Sequence, residues 1–324
     1  MNRPKISLIG AGNVGATVAQ FMALKELGDL YLFDVVDRVP EGKGLDIAEG
    51  SPHWGTDSRI VGFTTKDDSV YANLKGSELI VVTAGLARKP GMSRDDLLGK
   101  NVEIISGVAK QIKKYALDAV VIVVTNPADI MAYALQKVSG IKPEKIMGLG
   151  GSLDSSRFRT FLAMELNVSV EDVNAFVIGG HGDDMVPFIR YSNVAGIPIE
   201  KLLSKEKIDA IVNRTRGGGG EIVNYLKTGS AYFAPGVSIT AMAESVIKDK
   251  KRVIPSAAYL TGSHAKHYGA DNIFIGLPVK IGKDGIEQIY DLDFTPEEMV
   301  LWKNTTKSVI ENCRKVDEFL AKGH

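Results

Sequence analysis

The sequence predicts an α/β protein in which a doubly wound parallel sheet is followed by an α+β domain. Three observations carry this. Short apolar runs alternate with longer amphipathic ones through the first half of the 324-residue chain. A Gly-x-Gly-x-x-Gly sequence joins the first apolar run to the first helical pattern. After about residue 147 the alternation gives way to helices and a hairpin, so domains of residues 1–147 and 148–324 are expected.

The apolar runs at 6–9, 30–33, 60–63, 79–82 and 120–124 are β-branched and apolar on both faces. Strands covered by helices on both sides read this way. Helical patterns at 14–24, 43–48 and 95–114 lie between them, the last opening with two acids after Ser93 and closing with Lys113 and Lys114. That charge order suits the helix dipole at both ends. The alternation implies right-handed crossovers. In the second half a helix at 153–166 precedes a strand at 173–178 and a glycine-rich turn. Helices follow near 205–225 and 237–248, then a hairpin of 273–281 and 286–290 around a Gly-Lys-Asp-Gly turn. A last helix over 296–321 carries Met299, Trp302, Val309, Ile310, Cys313, Val316 and Leu320 along one side. Gly217, Gly218, Gly219 and Gly220 fall inside a helical pattern. Each costs about 1 kcal/mol relative to Ala, so a helix break is expected there.

Lys plus Arg and Asp plus Glu both number 39, so the formal charge is zero. A nucleic-acid partner would need a basic face, and none is expected. At 44% hydrophobic and 24% charged residues the chain is too apolar for disorder. The most continuous apolar run, 119–124, is far short of the ~20 residues that span a bilayer. The N-terminus leads directly into a strand, without a signal peptide's apolar core. The one cysteine, Cys313, forms no internal disulfide and reads as a small packed hydrophobe. A cytoplasmic protein without membrane partners is expected.

Gly10-Ala11-Gly12-Asn13-Val14-Gly15 has the context a Rossmann dinucleotide fingerprint requires. A strand precedes it, a helix follows, and Asp34 ends the second strand 19 residues past Gly15. Gly10 permits the tight turn, Gly12 lets the backbone approach a pyrophosphate, and Gly15 lets the helix pack on the sheet. Asp34 accepts hydrogen bonds from ribose hydroxyls and repels a 2′-phosphate, favouring NAD over NADP. Arg38 reads as a solvated loop residue, neutralised locally by Asp37.

Three further segments carry chemistry. The loop after the fourth strand holds Arg88, Lys89 and Arg94, three cations in seven residues, which suits a small anion of more than one charge. Pro90 and Gly91 make a turn there, and a mobile lid follows from the flanking glycines. Asp154 and Arg157 are three apart on one helix face. His181 lies between glycines, so neighbours in sequence do not pack it. A histidine oriented by a buried carboxylate is an acid/base suited to neutral pH. His264 and His267 lack a third ligand, and no metal site is expected.

With these segments assembled, the chain resembles the lactate/malate dehydrogenase family over essentially its whole length. The shared motifs are Gly-Ala-Gly-Asn-Val-Gly at 10–15, Ala-Arg-Lys-Pro-Gly-Met-Ser-Arg at 87–94, Val-Thr-Asn-Pro at 124–127, Leu-Asp-Ser-Ser-Arg at 153–157 and Gly-Gly-His-Gly-Asp at 179–183. The resemblance implies a Rossmann NAD-binding domain over 1–147, a substrate-binding and catalytic domain over 148–324, and reversible hydride transfer between (S)-malate and NAD. It implies that His181 accepts the proton with Asp154 as its partner. Arg157 then grips the C1 carboxylate in a bidentate fork, and Arg94 polarises the reacting carbon–oxygen bond. Asn126, in an Asn-Pro turn open to the cis form, bonds substrate and cofactor, while Asn101 and the Val124, Thr125 and Asn126 backbone contact NAD. Arg88 sets the substrate. Lactate enzymes of this family carry neutral glutamine there, whereas arginine pairs with the second carboxylate of a dicarboxylate. A homotetramer is implied, with a homodimer the alternative that no residue pattern here excludes. Two stretches depart from the family pattern: the four glycines at 217–220, and 263–267, which reads as a surface loop.

Overall fold

The computed structural model describes residues 3–86, 94–182 and 184–322, Arg94 through its backbone only. The first half supplies β1 (Lys5–Ile9), α1 (Asn13–Leu24), β2 (Asp29–Asp34), α2 (Val39–Trp54), β3 (Ile60–Thr64), β4 (Leu79–Val82), α3 (Arg94–Tyr115), β5 (Val120–Val123), α4 (Ala128–Ser139) and β6 (Ile146–Gly148). The second half begins with α5 (Gly150–Leu166) and the two-residue strands β7 (Val173–Asn174), β8 (Val177–Ile178), β9 (Val186–Pro187), β10 (Asn193–Val194) and β11 (Ile197–Pro198). It continues through α6 (Ile199–Leu202), α7 (Lys205–Leu226), α8 (Phe233–Ile247), β12 (Arg252–Leu260), α9 (Gly262–Tyr268), β13 (Ile273–Gly282), β14 (Gly285–Ile289) and α10 (Pro296–Ala321).

The six strands of the first half pair in parallel in the order β3-β2-β1-β4-β5-β6. The order reverses between β1 and β4, which leaves a ligand crevice beyond their carboxyl ends. β4 and β5, at the centre, are buried along their whole length. The sheet does not stop at the first half. β12 adds antiparallel to β6 through one pair, Ala257 opposite Gly148, and β13 and β14 extend it further. One sheet thus runs through both halves, and α5, which follows β6 after Leu149, starts at that junction. No described helix is long and apolar enough to cross a membrane.

The five strands expected in the first half are present, as are the hairpin and the last helix. The C-terminal helix carries a capping box: Thr295 Oγ1 accepts from Glu298 N, and the Glu298 carboxylate accepts from Thr295 N. The sequence reading lacks several short elements of the second half and, of those that shape the central sheet and the site, α4, β6 and β12. Residues 128–135 of α4 are all buried, and its apolar run 130–135 is short, with Asp129 before it and Gln136 and Lys137 after it. β6 is only three residues long. β12 contains Pro255 and a pair of alanines, a composition that weakens any strand signal.

Four expectations are corrected. α7 runs unbroken through residues 217–220. Its apolar face, with Ile208 and Ile211 buried, packs the helix in place despite the glycines, and Gly218 faces the Arg157 side chain so closely that a Cβ would stand 3.0 Å from Arg157 Cδ. Residues 263–267 form most of α9, not a loop. Ala265 and Tyr268 are buried, His264 Nδ1 lies 2.7 Å from Asp291 Oδ1, and Trp302 Nε1 donates to Tyr268 O at 2.8 Å. The strand at 173–178 splits, β7 pairing with β10 and β8 with β9 in separate sheets. Arg38 is exposed as expected, but Asp37 pairs with Lys66 at 2.9 Å.

Gly217 and Gly220 are exposed in the helix interior, with nothing within 4 Å of a Cβ added at either. Replacing both by Ala should raise the unfolding free energy by about 1–2 kcal/mol in a urea titration. Gly218→Ala brings the same propensity gain but crowds the Arg157 side chain, and should gain less stability than either exposed position. A stability loss for the Gly217/Gly220 pair would mean that α7 is interrupted there.

Candidate active site

At the carboxyl end of β1 the chain turns on Gly10, whose φ of +108° suits only glycine. Gly10 N donates to Phe33 O at 2.8 Å, and its carbonyl accepts from Thr83 Oγ1 at 2.9 Å. Gly15 packs so tightly on this turn that a Cβ would lie 1.9 Å from Gly10 O. Gly12 differs: nothing stands within 4 Å of a Cβ placed there. It is the N-cap of α1 and offers no side chain to its helix, so the N–H groups of Asn13 and Val14 open the helix toward free space. That is the cradle a pyrophosphate requires. Asp34 points back at the same turn, Oδ2 accepting from Ala11 N at 2.6 Å and Oδ1 from Val36 N at 2.9 Å. Lone pairs remain on both oxygens for ribose hydroxyls. The residues present therefore fit a dinucleotide.

The loops leaving β4 and β5 lie side by side because Asn101, fully buried on α3, joins them. Its Oδ1 accepts from Leu86 N at 2.8 Å and its Nδ2 donates to Asn126 O at 2.8 Å. Val124 N donates to Val82 O at 2.9 Å, and Thr125 Oγ1 donates to Ala84 O at 2.6 Å. The Asn126–Pro127 peptide is cis. This turn feeds directly into α4.

The third group surrounds His181. The loop carrying it leaves β8, whose Val177 N donates to Ser155 Oγ on α5 at 2.9 Å. Gly179 exchanges backbone bonds with Gly276 of β13, at 2.8 and 3.1 Å, and a Cβ on Gly276 would stand 2.5 Å from Gly179 O. Gly180 N donates to Thr305 Oγ1 of α10 at 2.8 Å, and His181 N donates to Asp129 Oδ2 of α4 at 2.9 Å. The imidazole Nδ1 lies 2.8 Å from Asp154 Oδ2. Asp154 is 1% exposed and the His181 side chain 15%, so the carboxylate is shut in while the ring reaches the surface. The Asp154 charge, foremost, and then Asp129 hold the imidazole above its usual range, against its burial and the Arg157 charge. Arg157 Nη1 lies 3.3 Å from Asp154 Oδ1, and its buried Nε has no partner among the described residues. A guanidinium edge is left for an anion next to the ring.

Asp154, Arg157 and His181 are thus brought together, and Gly10, Ala11, Gly12, Asn13, Val14, Gly15 and Asp34 form a separate turn at the head of β1. Arg88 and the Arg94 side chain lie outside the described residues, as do Lys89 and Asp183. Two residues of the site escaped sequence reasoning. Thr305 lies on a helix read only for its apolar side. Asp129 is 4% exposed, and an acid two residues after the Asn-Pro pair, immediately before the apolar stretch 130–135, was the available signal.

A model of the lactate/malate dehydrogenase NAD binding domain matches residues 4–148, and one of the family's alpha/beta C-terminal domain matches residues 151–320. The malate dehydrogenase of Thermoplasma volcanium is 74% identical over 322 residues, spanning 99% of each chain. The structure of the malate dehydrogenase from Picrophilus torridus in its apo form superposes with a TM-score of 0.98 at 66% identity, covering 99% of this chain and 100% of that one. A lactate dehydrogenase from Cryptosporidium parvum, complexed with lactic acid and nicotinamide adenine dinucleotide, superposes at 0.91 with 40% identity over 98% of this chain and 99% of that one.

Gly12 and Gly15 of the β1–α1 segment differ in surroundings and should respond differently. Gly12→Ala should leave thermal stability unchanged and weaken NADH binding at least tenfold, read by fluorescence titration. Gly15→Ala should cost at least about 2–3 kcal/mol of stability by overpacking. Equal effects of the two on binding and stability would contradict the cradle.

Proposed function

The chain belongs to the lactate/malate dehydrogenase family, and from that premise we propose that His181, Asp154 and Arg157 carry out proton transfer and substrate gripping for a reversible oxidation of (S)-malate to oxaloacetate with NAD. The observation that carries the reading is the Asp154 carboxylate, which bonds the imidazole with one oxygen and the guanidinium with the other. The acid/base and the anion grip are thereby locked to one another.

With NAD bound at the head of β1, the cofactor supplies the nicotinamide carbon that takes or gives hydride. The protein does the rest. Asp154 Oδ2 accepts the Nδ1 proton, leaving Nε2 as the free base that takes the C2 hydroxyl proton as hydride leaves C2. The imidazolium so formed is stabilised by Asp154. Arg157 holds the C1 carboxylate, a geometry lysine cannot reproduce. Asn126, held in a cis turn that Asn101 secures from behind, orients substrate against cofactor. Arg94, at the start of α3, polarises the carbonyl, and Arg88 pairs with the second carboxylate.

The fold by itself does not select the substrate, since the C. parvum relative that superposes so well is complexed with lactic acid. Arg88 does. Its charge attracts a dicarboxylate, and pyruvate offers it no second carboxylate to pair with. Malate dehydrogenases at 74% and 66% identity support the same assignment. The proposal extends to domains of 1–147 for NAD and 148–324 for substrate, a homotetramer, and a cytoplasmic location. The single free cysteine supports a reducing compartment.

Because the folded imidazole titrates above its ordinary 6.5, oxaloacetate reduction, which needs the charged ring, should decline as pH rises through that raised value. Malate oxidation, which needs the neutral ring, should decline as pH falls through it. Identical pH profiles of kcat/KM in the two directions would contradict this role. For Arg88→Gln, the ratio of oxaloacetate to pyruvate turnover should fall by at least about a hundredfold, worth roughly 3 kcal/mol. An unchanged ratio would mean that Arg88 does not face the substrate.

A further inference from the structure

We propose that Asp129 is a positioning residue for the proton transfer, holding the main chain of His181 and setting a second negative charge beside its ring. The inference rests on the assignment of His181 as acid/base and deepens it. Asp129 lies in the first turn of α4, two residues after the cis Pro127, and is 4% exposed. Its Oδ2 accepts from His181 N at 2.9 Å, while its buried Oδ1 has no partner among the described residues. Two glycines flank the carboxylate: a Cβ on Gly150 would stand 3.7 Å from Oδ1 and one on Gly180 3.7 Å from Oδ2, both ordinary contact distances.

A main-chain N–H needs only an acceptor, and a neutral amide would serve at a much lower desolvation cost than a carboxylate. The charge is therefore the feature to explain. The charged and titratable groups around the pair are Asp154 and Arg157 from α5, and Cys313 of α10 on the side of Asp129. Thr305 of α10 meets Gly180 as a neutral hydroxyl. Asp183 lies outside the described residues. Among those described, Asp154 and Asp129 favour the imidazolium and Arg157 opposes it. Asp129 itself is pushed up to about 6 by burial, so it stays charged at neutral pH. Its position has a second consequence. The same short turn carries Asn126 and Asp129, so the residue that orients substrate and the carboxylate that fixes the base move as one unit.

Two variants test this in the full-length protein. Asp129→Asn keeps an acceptor for His181 N and removes the charge. It should move the decline of oxaloacetate reduction to lower pH by about one unit, and malate oxidation should set in correspondingly earlier. The pH dependence of diethyl pyrocarbonate modification at His181, followed by mass spectrometry, should move by the same amount without any turnover. Asp129→Ala, which removes acceptor and charge together, should lose at least tenfold in kcat with NADH binding retained, and Asp129→Asn should restore most of that loss. Wild-type protein inactive on oxaloacetate would defeat the functional assignment itself. Active wild type with Asp129→Asn titrating unchanged, by both turnover and modification, would overturn the role of Asp129. If Asp129→Ala does not fold, the Asp129→Asn titrations decide the matter alone.

Discussion

A histidine set between glycines has no sequence neighbours to pack it, so every constraint on its position must come from elsewhere in the chain. For His181 that constraint is a set of hydrogen bonds made within three residues. Gly179 bonds β13, Gly180 bonds Thr305 on α10, His181 N bonds Asp129 on α4, and the imidazole bonds Asp154 on α5. The rest of the fold brings these four elements to one point. The sheet does so by continuing from β6 into β12 and β13 without a break, which places the site on the seam between the halves.

Close approach is obtained there by removing side chains. Gly148 sits where a Cβ would be 2.8 Å from Ala257 Cβ, and Gly151 where one would be 2.5 Å from Val177 O. These two glycines let α5 start hard against β12 and β8, and so bring Asp154 under the histidine loop. Gly218 does the same for Arg157 from the side of α7. The conformational entropy given up at each glycine is a cost to stability that returns as placement of the reacting groups. The buried carboxylates follow the same logic. Asp129 and Asp154 are costly to desolvate, and each is compensated by a donor that belongs to His181.

The parallel sheet was legible because strands buried on both faces announce themselves as continuous apolar runs, and the fingerprint because three glycines and an acid must stand at fixed spacing. Asp154, Arg157 and His181 were legible one by one from their residue types, and their convergence was legible only through the family resemblance. Residues 27 apart in sequence meet through β8 and α5, a contact that no local pattern encodes. α4 went unread because residues 130–135 form one short apolar run, with Asp129 before it and Gln136 and Lys137 after it. β12 hid behind Pro255. The glycines at 217–220 misled because propensity counts only the cost of glycine, while burial of the Ile208 and Ile211 face decides that helix. Asp129 shares the fate of α4: its partner is a main-chain N–H, and main-chain partners leave no trace in a side-chain pattern.

The account stands on one bond, Asp154 to His181. The direct test is the kcat of Asp154→Asn for NADH-dependent oxaloacetate reduction, measured beside its NADH affinity. An amide offers the imidazole the wrong hydrogen-bonding partner while keeping shape, so kcat should fall about 10³- to 10⁴-fold with NADH affinity unchanged. Turnover within tenfold of wild type would mean that the ring is held and charged by something other than Asp154, and that the site works differently from the geometry described.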